Sequence, residues 1–331
     1  MPIDFYSMPE NKRQHYVPQN YLREFSADGL SIGVFLVETG KCIDKPAPIN
    51  SQSQESFFYG KNLELEKQLS ELERLLAENR RTIFECQTNK LNLYQKEVLY
   101  QDMMLQMSRT RYMANLYEEM ATAKARRIWK HCDDEDVRKH ADDYGVRFDN
   151  PIIAPMAILL QNLTICLDLE FKVLVNKTDI PFVTSDNPVC RYNQLFEAHT
   201  RYHSGLKNTG VQIYYPLSPK FAVLYYDGNV YKTKYRKRNF LEVTDDSDVN
   251  HLNGLVCAWA SKCVYFHTDN TSGEHVNWTF DHIKDSRTKM MNEQEIPTGE
   301  KSSIIIARYP FPAFRMCLSF IKFLDKVISV H

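Results

Sequence analysis

Residues 169–188 read LEFKVLVNKTDIPFVTSDNP, and the period of the chain changes there. From Leu169 to Val175 the apolar positions alternate with Glu170 and Lys172, as in a strand with two different faces. Asn176-Lys177-Thr178-Asp179 is turn-like, Phe182 to Thr184 is a second short strand, and Ser185-Asp186-Asn187-Pro188 ends it. Strands continue downstream at Val211–Tyr215 and Phe221–Tyr226, and Asp227-Gly228 makes a tight turn into Val230–Tyr235. A helix over Asp246–Ser261 and a strand at Val264–His267 complete the region. Upstream the period is helical. Leu65, Leu69, Leu72 and Leu76 form one stripe, with Asn62 as the expected cap. A longer pattern from Leu91 to His131 carries Val98, Leu105, Tyr112 and Leu116, and the acidic cluster Asp133–Asp136 ends or caps elements after it. Near the N-terminus, Ile32–Val37 and Lys41–Asp44 flank Glu38-Thr39-Gly40 as a β-hairpin. The expected class is therefore α+β: a helical hairpin or bundle packed on a mostly antiparallel sheet. A single domain is expected over 1–268. A polar loop and a docked C-terminal helix are expected over 269–331, with Phe314, Leu318, Ile321, Leu324 and Ile328 at helical spacing.

Composition bounds the function. The 331 residues are 43% hydrophobic and 25% charged, with a net charge of -1, as in globular proteins. A general nucleic-acid binder carries a basic excess, so any such role must rest on a local patch. Lys232, Lys234, Arg236, Lys237 and Arg238 are the candidate, against the plainer reading of a charged strand edge. Eight cysteines contain no CxxC pair, which points to free thiols, a cytoplasmic location and no structural zinc. The N-terminus lacks a secretory core, and the C-terminal stretch is too polar to span a bilayer. No metal or cofactor motif is present: there is no GxGxxG, Walker loop, GxSxG or HExxH.

Three segments carry candidate chemistry. In Gln14-His15-Tyr16-Val17-Pro18-Gln19-Asn20-Tyr21-Leu22-Arg23-Glu24-Phe25, a proline-fixed turn sets His15 beside the start of a short helix. The plain alternative is an N-terminal arm that only packs. On the long helical pattern, Asp102, Gln106 and Arg109 are neighbours on one surface. Arg109 lies within an apolar stripe, so it is either a structural ion pair, with Asp102 or a carboxylate from elsewhere as the partner, or a guanidinium aimed at a phosphate or carboxylate. Ser185, Asp186 and Asn187 sit at a strand end where site residues are often presented, or form an ordinary Asx turn. Two weaker spacings are Arg126 with His131, as in Arg-x4-His ribonucleases, and His199 with His203.

Taken in order with Pro216-Leu217-Ser218-Pro219, these segments resemble the domain-of-unknown-function 4238 family of bacterial and phage-associated proteins, over about Lys12 to His267. The resemblance implies a shared site made by His15, Gln19, Gln106, Arg109 and Asp186, and implies no particular reaction.

Two functions fit these residue types. The first is a metal-independent phosphodiester-cleaving toxin or antiphage effector acting on RNA or a nucleotide. His15, Arg109 and Asp186 would be catalytic, and Gln19, Gln106, Ser185 and Asn187 would bind substrate. The second is a non-catalytic ligand-sensing or partner-binding module of a bacterial defence or toxin–antitoxin system, with a protein partner or a second copy docking through the C-terminal helix. Geometry separates them: catalysis needs His15 and Arg109 at the floor of an open cleft, and a structural network is closed and fully hydrogen-bonded.

Overall fold

The computed structural model describes residues 13–61, 63–86, 90–197, 205–235, 237–269, 271–287, 292–299, 302–308 and 315–325. Asn62, His199, His203 and Arg236 lie outside this set. The helices are α1 (Gln19–Arg23), α2 (Glu64–Phe84), α3 (Leu93–Ser108), α4 (Arg111–Lys130), α5 (Glu135–Lys139), α6 (Ile153–Gln161), α7 (Asp246–Trp259) and α8 (Ser272–Ile283). With several mostly antiparallel sheets they make an α+β fold, as the alternation of periods predicts.

The centre is a five-stranded sheet in the order Phe240–Val243, Glu170–Asn176, Phe221–Tyr226, Gln212–Pro216 and Cys190–Tyr192. All its pairings are antiparallel except that of the first two strands. Its strands are apolar on both faces, because both faces are covered. Val173, Ile213, Tyr215, Val223 and Tyr225 join Leu99 and Met103 of α3 and Tyr21 of α1 in one core. Leu174, Tyr214, Ala222, Leu224 and Tyr226 join Val249, Leu252 and Val256 of α7 in a second. The period-2 side-chain alternation thus sends neighbouring residues into different cores. A smaller sheet, with Ser31–Leu36 and Cys263–Phe266 at its middle, contains the expected hairpin, in which Leu36 pairs with Lys41.

The long helical pattern is two helices. Arg109 leaves α3 at φ -101°, and Thr110 is extended and accepts the Met113 amide at 3.3 Å as the cap of α4. A threonine hydroxyl that bonds local backbone favours such a joint over a continuous helix. α3 itself begins with a reciprocal Asn92–Gln95 capping box, and Asp134 caps α5.

The helices α2 and α3 are registered by charge. Glu66, Leu69, Glu73, Leu76, Arg80 and Ile83 recur every three or four residues on α2. Arg80 Nη1 meets Asp102 at 2.7 Å, and Glu73 meets Arg109 Nη1 at 2.6 Å. Each pair is one heptad from the other on both helices, with the signs reversed. A seven-residue slip in one direction sets Glu73 against Asp102, and in the other sets Arg80 against Arg109. Asp102 is therefore the partner of Arg80, and of the two partners open to Arg109 it takes the carboxylate from elsewhere, Glu73.

The C-terminal region also departs from expectation. The polar segment contains the end of α8 and a hairpin of Asn292–Gly299 with Ser302–Arg308. The described part of the expected C-terminal helix is extended: Ile321–Phe323 pairs with Tyr231–Thr233, so the latter does not form a hairpin with Phe221–Tyr226. Met316, Leu318 and Phe320 are buried every second residue. That period of two is not a helix's, and Asp248 holds the segment by accepting both the amide and the hydroxyl of Ser319 at 2.7 Å. Among the described residues no helix is long and apolar enough to cross a membrane.

Candidate functional site

The opening motif is bound to α2 and the end of α3 through Asn20, Tyr16 and His15, and to the neighbouring loops and the central sheet through Gln14 and Tyr21. Gln14 is fully buried. Its amide imitates a strand edge, accepting the Tyr59 amide at 2.6 Å and donating to the Gly60 carbonyl at 3.2 Å. Pro18 starts α1. Asn20 donates to the Glu73 carbonyl at 3.0 Å. The Tyr21 hydroxyl lies 2.7 Å from Thr184 and donates to the Pro216 carbonyl at 2.6 Å, while its ring stacks on Tyr215. Val17, Leu22 and Phe25 are fully buried. The Pro216-Leu217-Ser218-Pro219 segment is thus the turn that receives Tyr21.

Arg109 and Gln106 bind the main chain of the motif. Arg109 Nη2 donates to the His15 carbonyl at 2.8 Å, Nε to the Tyr59 hydroxyl at 2.8 Å, and Nη1 to Glu73 at 2.6 Å. Gln106 donates to the Tyr16 carbonyl at 3.2 Å. Arg109 is 1% exposed. Burial disfavours its charge, and Tyr59 and Glu73 overcome this and raise its pKa. The cavity beside it, lined by Asn20, Arg80, Asp102 and Gln106, has a volume of about 10 Å3, on the scale of one water molecule.

The His15 ring is half-buried. Nδ1 lies 3.0 Å from the Gln52 carbonyl, and Gln19 Nε2 lies 3.0 Å from Nε2. A carbonyl only accepts, so Nδ1 carries the proton and Nε2 accepts from Gln19, whose Oε1 takes a bond from Arg23 at 3.0 Å. Burial lowers the His15 pKa below 6.5, against the opposing pull of the Gln52 carbonyl and Glu73. The imidazole is neutral, with both nitrogens engaged.

Asp186 stands apart from this ring. Its carboxylate accepts the Ser261 and Lys262 amides at 2.8 Å each, and so caps the turn after α7. Burial pushes it up to about 6, against those hydrogen bonds. The His15 tautomer is thus fixed by Gln52 and Gln19, and Asp186 has no part in it. Ser185 accepts the Asn187 amide at 3.1 Å, and Asn187 bridges the Trp259 carbonyl and the Thr110 hydroxyl at the α3–α4 joint. The structure therefore gathers His15, Gln19, Gln106 and Arg109 in one place and Ser185, Asp186 and Asn187 in another, with Tyr16 between them and within the field of Asp186.

Three further residues belong to the first cluster: Tyr59, Glu66 and Glu73. Burial raises Glu66 to about 7, with Arg109 opposing. Glu66 and Glu73 are seven apart, beside the leucine stripe of α2, and that heptad spacing is the signal in the sequence. Tyr59 carries no such mark. Of the weaker spacings, Arg126 donates to the Tyr144 carbonyl at 2.9 Å near the end of α4, and His131 is exposed. Among the described residues no group of three or more His, Cys, Asp or Glu side chains could hold a metal ion.

A family described as "Protein of unknown function (DUF4238)" matches residues 13–270, and the chain belongs to it. The match begins at the motif strand and ends just beyond Cys263–Phe266. No curated protein and no solved structure matches the chain.

Proposed function

We propose that this protein is a non-catalytic binding module, in which the His15–Arg109 cluster latches the N-terminal segment onto α2 and α3 and the ligand is taken elsewhere on the surface. The observation that supports it is the engagement of the Arg109 guanidinium. Three of its N–H groups go to Glu73, Tyr59 and the His15 carbonyl, and Glu73 balances its charge. A phosphate clamp needs that fork free and facing solvent. General acid–base work needs a nitrogen of His15 within reach of a substrate proton, and both nitrogens are held by Gln52 and Gln19. A cytoplasmic setting agrees with the free state of the cysteines, among them the buried Cys190 and Cys257.

Expression of the wild type and of His15→Ala in one bacterial host tests the proposal. The expected result is intact cellular RNA in both and no growth defect that depends on His15. A growth defect with cleaved RNA, relieved by a folded His15→Ala, would overturn it in favour of a phosphodiester-cleaving toxin.

A further inference from the structure

The groove between the outer edge of the central sheet and the end of α2 has a volume of about 520 Å3, within the range of small-molecule sites. Its walls combine aromatic faces and cations: Phe84, Tyr235 and Phe240 with Lys234 and Arg238. Phe84 lies stacked on Phe221, centroids 4.7 Å apart. Among the described residues neither Lys234 nor Arg238 has an ion-pair partner. The groove's one carboxylate, Glu242, lies 3.7 Å from Lys177.

The loop that carries these cations is built rather than incidental. Tyr235 is 64% exposed yet sits at φ 55°, a left-handed conformation that is strained for a non-glycine residue. Such strain persists where the surroundings impose it, and it gathers at ligand sites. Here the surroundings are Lys172, 2% exposed, whose ammonium donates to the carbonyls of Tyr235 at 3.1 Å and Arg238 at 2.5 Å. The Arg238 guanidinium lies 5.1 Å from the Tyr235 ring centroid. A large aromatic ring is thus held out to solvent beside two cations, over an aromatic floor.

From this arrangement we infer that the groove binds a nucleoside phosphate unit, with the base stacked on Tyr235 or the Phe84–Phe240 floor and the phosphate held by Lys234 and Arg238. Every base has a π-face, so stacking of this kind accepts any of them. The net charge of -1 argues against wide electrostatic capture of duplexes and for a short, local contact. The inference rests on the binding-module reading above and supplies its ligand class. Free nucleotides and single-stranded RNA share this chemistry.

Fluorescence anisotropy with a labelled eight-nucleotide single-stranded RNA, competed by adenosine monophosphate, distinguishes the two sources. Competition by the mononucleotide assigns a nucleotide site, and RNA binding without competition assigns a strand site. In either case Tyr235→Ala should weaken binding about fivefold to 150-fold, and Tyr235→Phe should keep most of it. Lys234→Ala with Arg238→Ala should reduce the slope of log affinity against log salt by roughly 1.4. Lys232→Ala, whose ammonium pairs with Asp325 at 2.8 Å, should leave binding unchanged. A wild type that binds neither probe, or groove variants that bind like the wild type, would overturn the inference. Running the RNA on a denaturing gel afterwards separates the two readings. Cleavage lost in His15→Ala would sink the binding-module proposal, while the response of the groove variants would still decide the groove.

Discussion

Replacing Arg109 by methionine separates a latch from a phosphate clamp. The change leaves the Glu73 carboxylate without its cation, removes the donor to the Tyr59 hydroxyl, and takes one of two donors from the His15 carbonyl, which keeps the Tyr59 hydroxyl at 3.1 Å. The side chains of Arg109 and Glu73 are only 2% and 18% exposed, so water cannot fully replace what is lost. Breaking a buried pair from one side costs about 3–5 kcal/mol. Removing Glu73 as well, in Glu73→Met/Arg109→Met, eliminates the stranded charge but leaves the Tyr59 hydroxyl without its donor and the His15 carbonyl with Tyr59 alone, at about 1–3 kcal/mol. The double variant should therefore be more stable than Arg109→Met alone, with a coupling of roughly 2 kcal/mol between the sites. Urea denaturation with linear extrapolation measures all four corners of the cycle. An Arg109→Met variant as stable as the wild type, or strictly additive losses, would refute the structural account of this residue.

Other outcomes follow from the same geometry. Asp186 rises from 3.8 to about 6 on folding, so the folded state binds its proton more tightly. The stability this confers is full below pH 4 and is lost as pH rises to 6, which against Asp186→Asn should appear as a change of roughly 3 kcal/mol in the difference between the two proteins. Glu66, at about 7 against 4.5, acts in the same direction over pH 4.5–7, and Glu66→Gln should flatten the profile there. His15 has the opposite sign: its pKa is lowered on folding, so its contribution is lost as pH falls below 6.5, and its ring proton shifts should titrate below that value. Gly33→Ala sets a methyl carbon 2.3 Å from the Phe266 ring, which should cost about 1–3 kcal/mol in denaturation. Tyr235→Gly should leave the melting temperature unchanged or raise it, since glycine adopts the positive φ without strain.

The layers of the fold are readable because burial writes its period into the chain: Leu169–Val175 alternates, the run Phe221–Tyr226 is apolar throughout as a strand covered on both faces must be, and the leucines of α2 repeat every three or four residues. The joint at Arg109–Thr110 was harder to see, because apolar spacing runs through it and only the threonine cap breaks the helix. The extended C-terminus was misread for a related reason. Leu318, Ile321 and Leu324 have helical spacing and Met316, Leu318 and Phe320 have a period of two, so apolar residues there offer both patterns, and the choice falls to partners far away in sequence, Asp248 and Tyr231–Thr233. The site was half legible. His15, Gln106 and Arg109 do meet, but the partner of Arg109 is Glu73 from another helix, and no local pattern names a cross-helix pair before its register is known. Only the family resemblance sets Asp186 beside His15; its own segment reads equally as a turn, and the chain uses it to cap one, with partners at Ser261 and Lys262 that lie far off in sequence.

Hydrogen exchange of residues 13–25 in Arg109→Lys tests the latch most directly. Lysine keeps the charge and loses the fork, so the bonds to Tyr59 and the His15 carbonyl cannot both survive alongside Glu73. The account predicts faster exchange across 13–25 and 53–60, with the central strands at 212–226 still protected. Unchanged exchange in the motif of a folded Arg109→Lys would contradict it, and would return Arg109 to the role of a group waiting for a ligand.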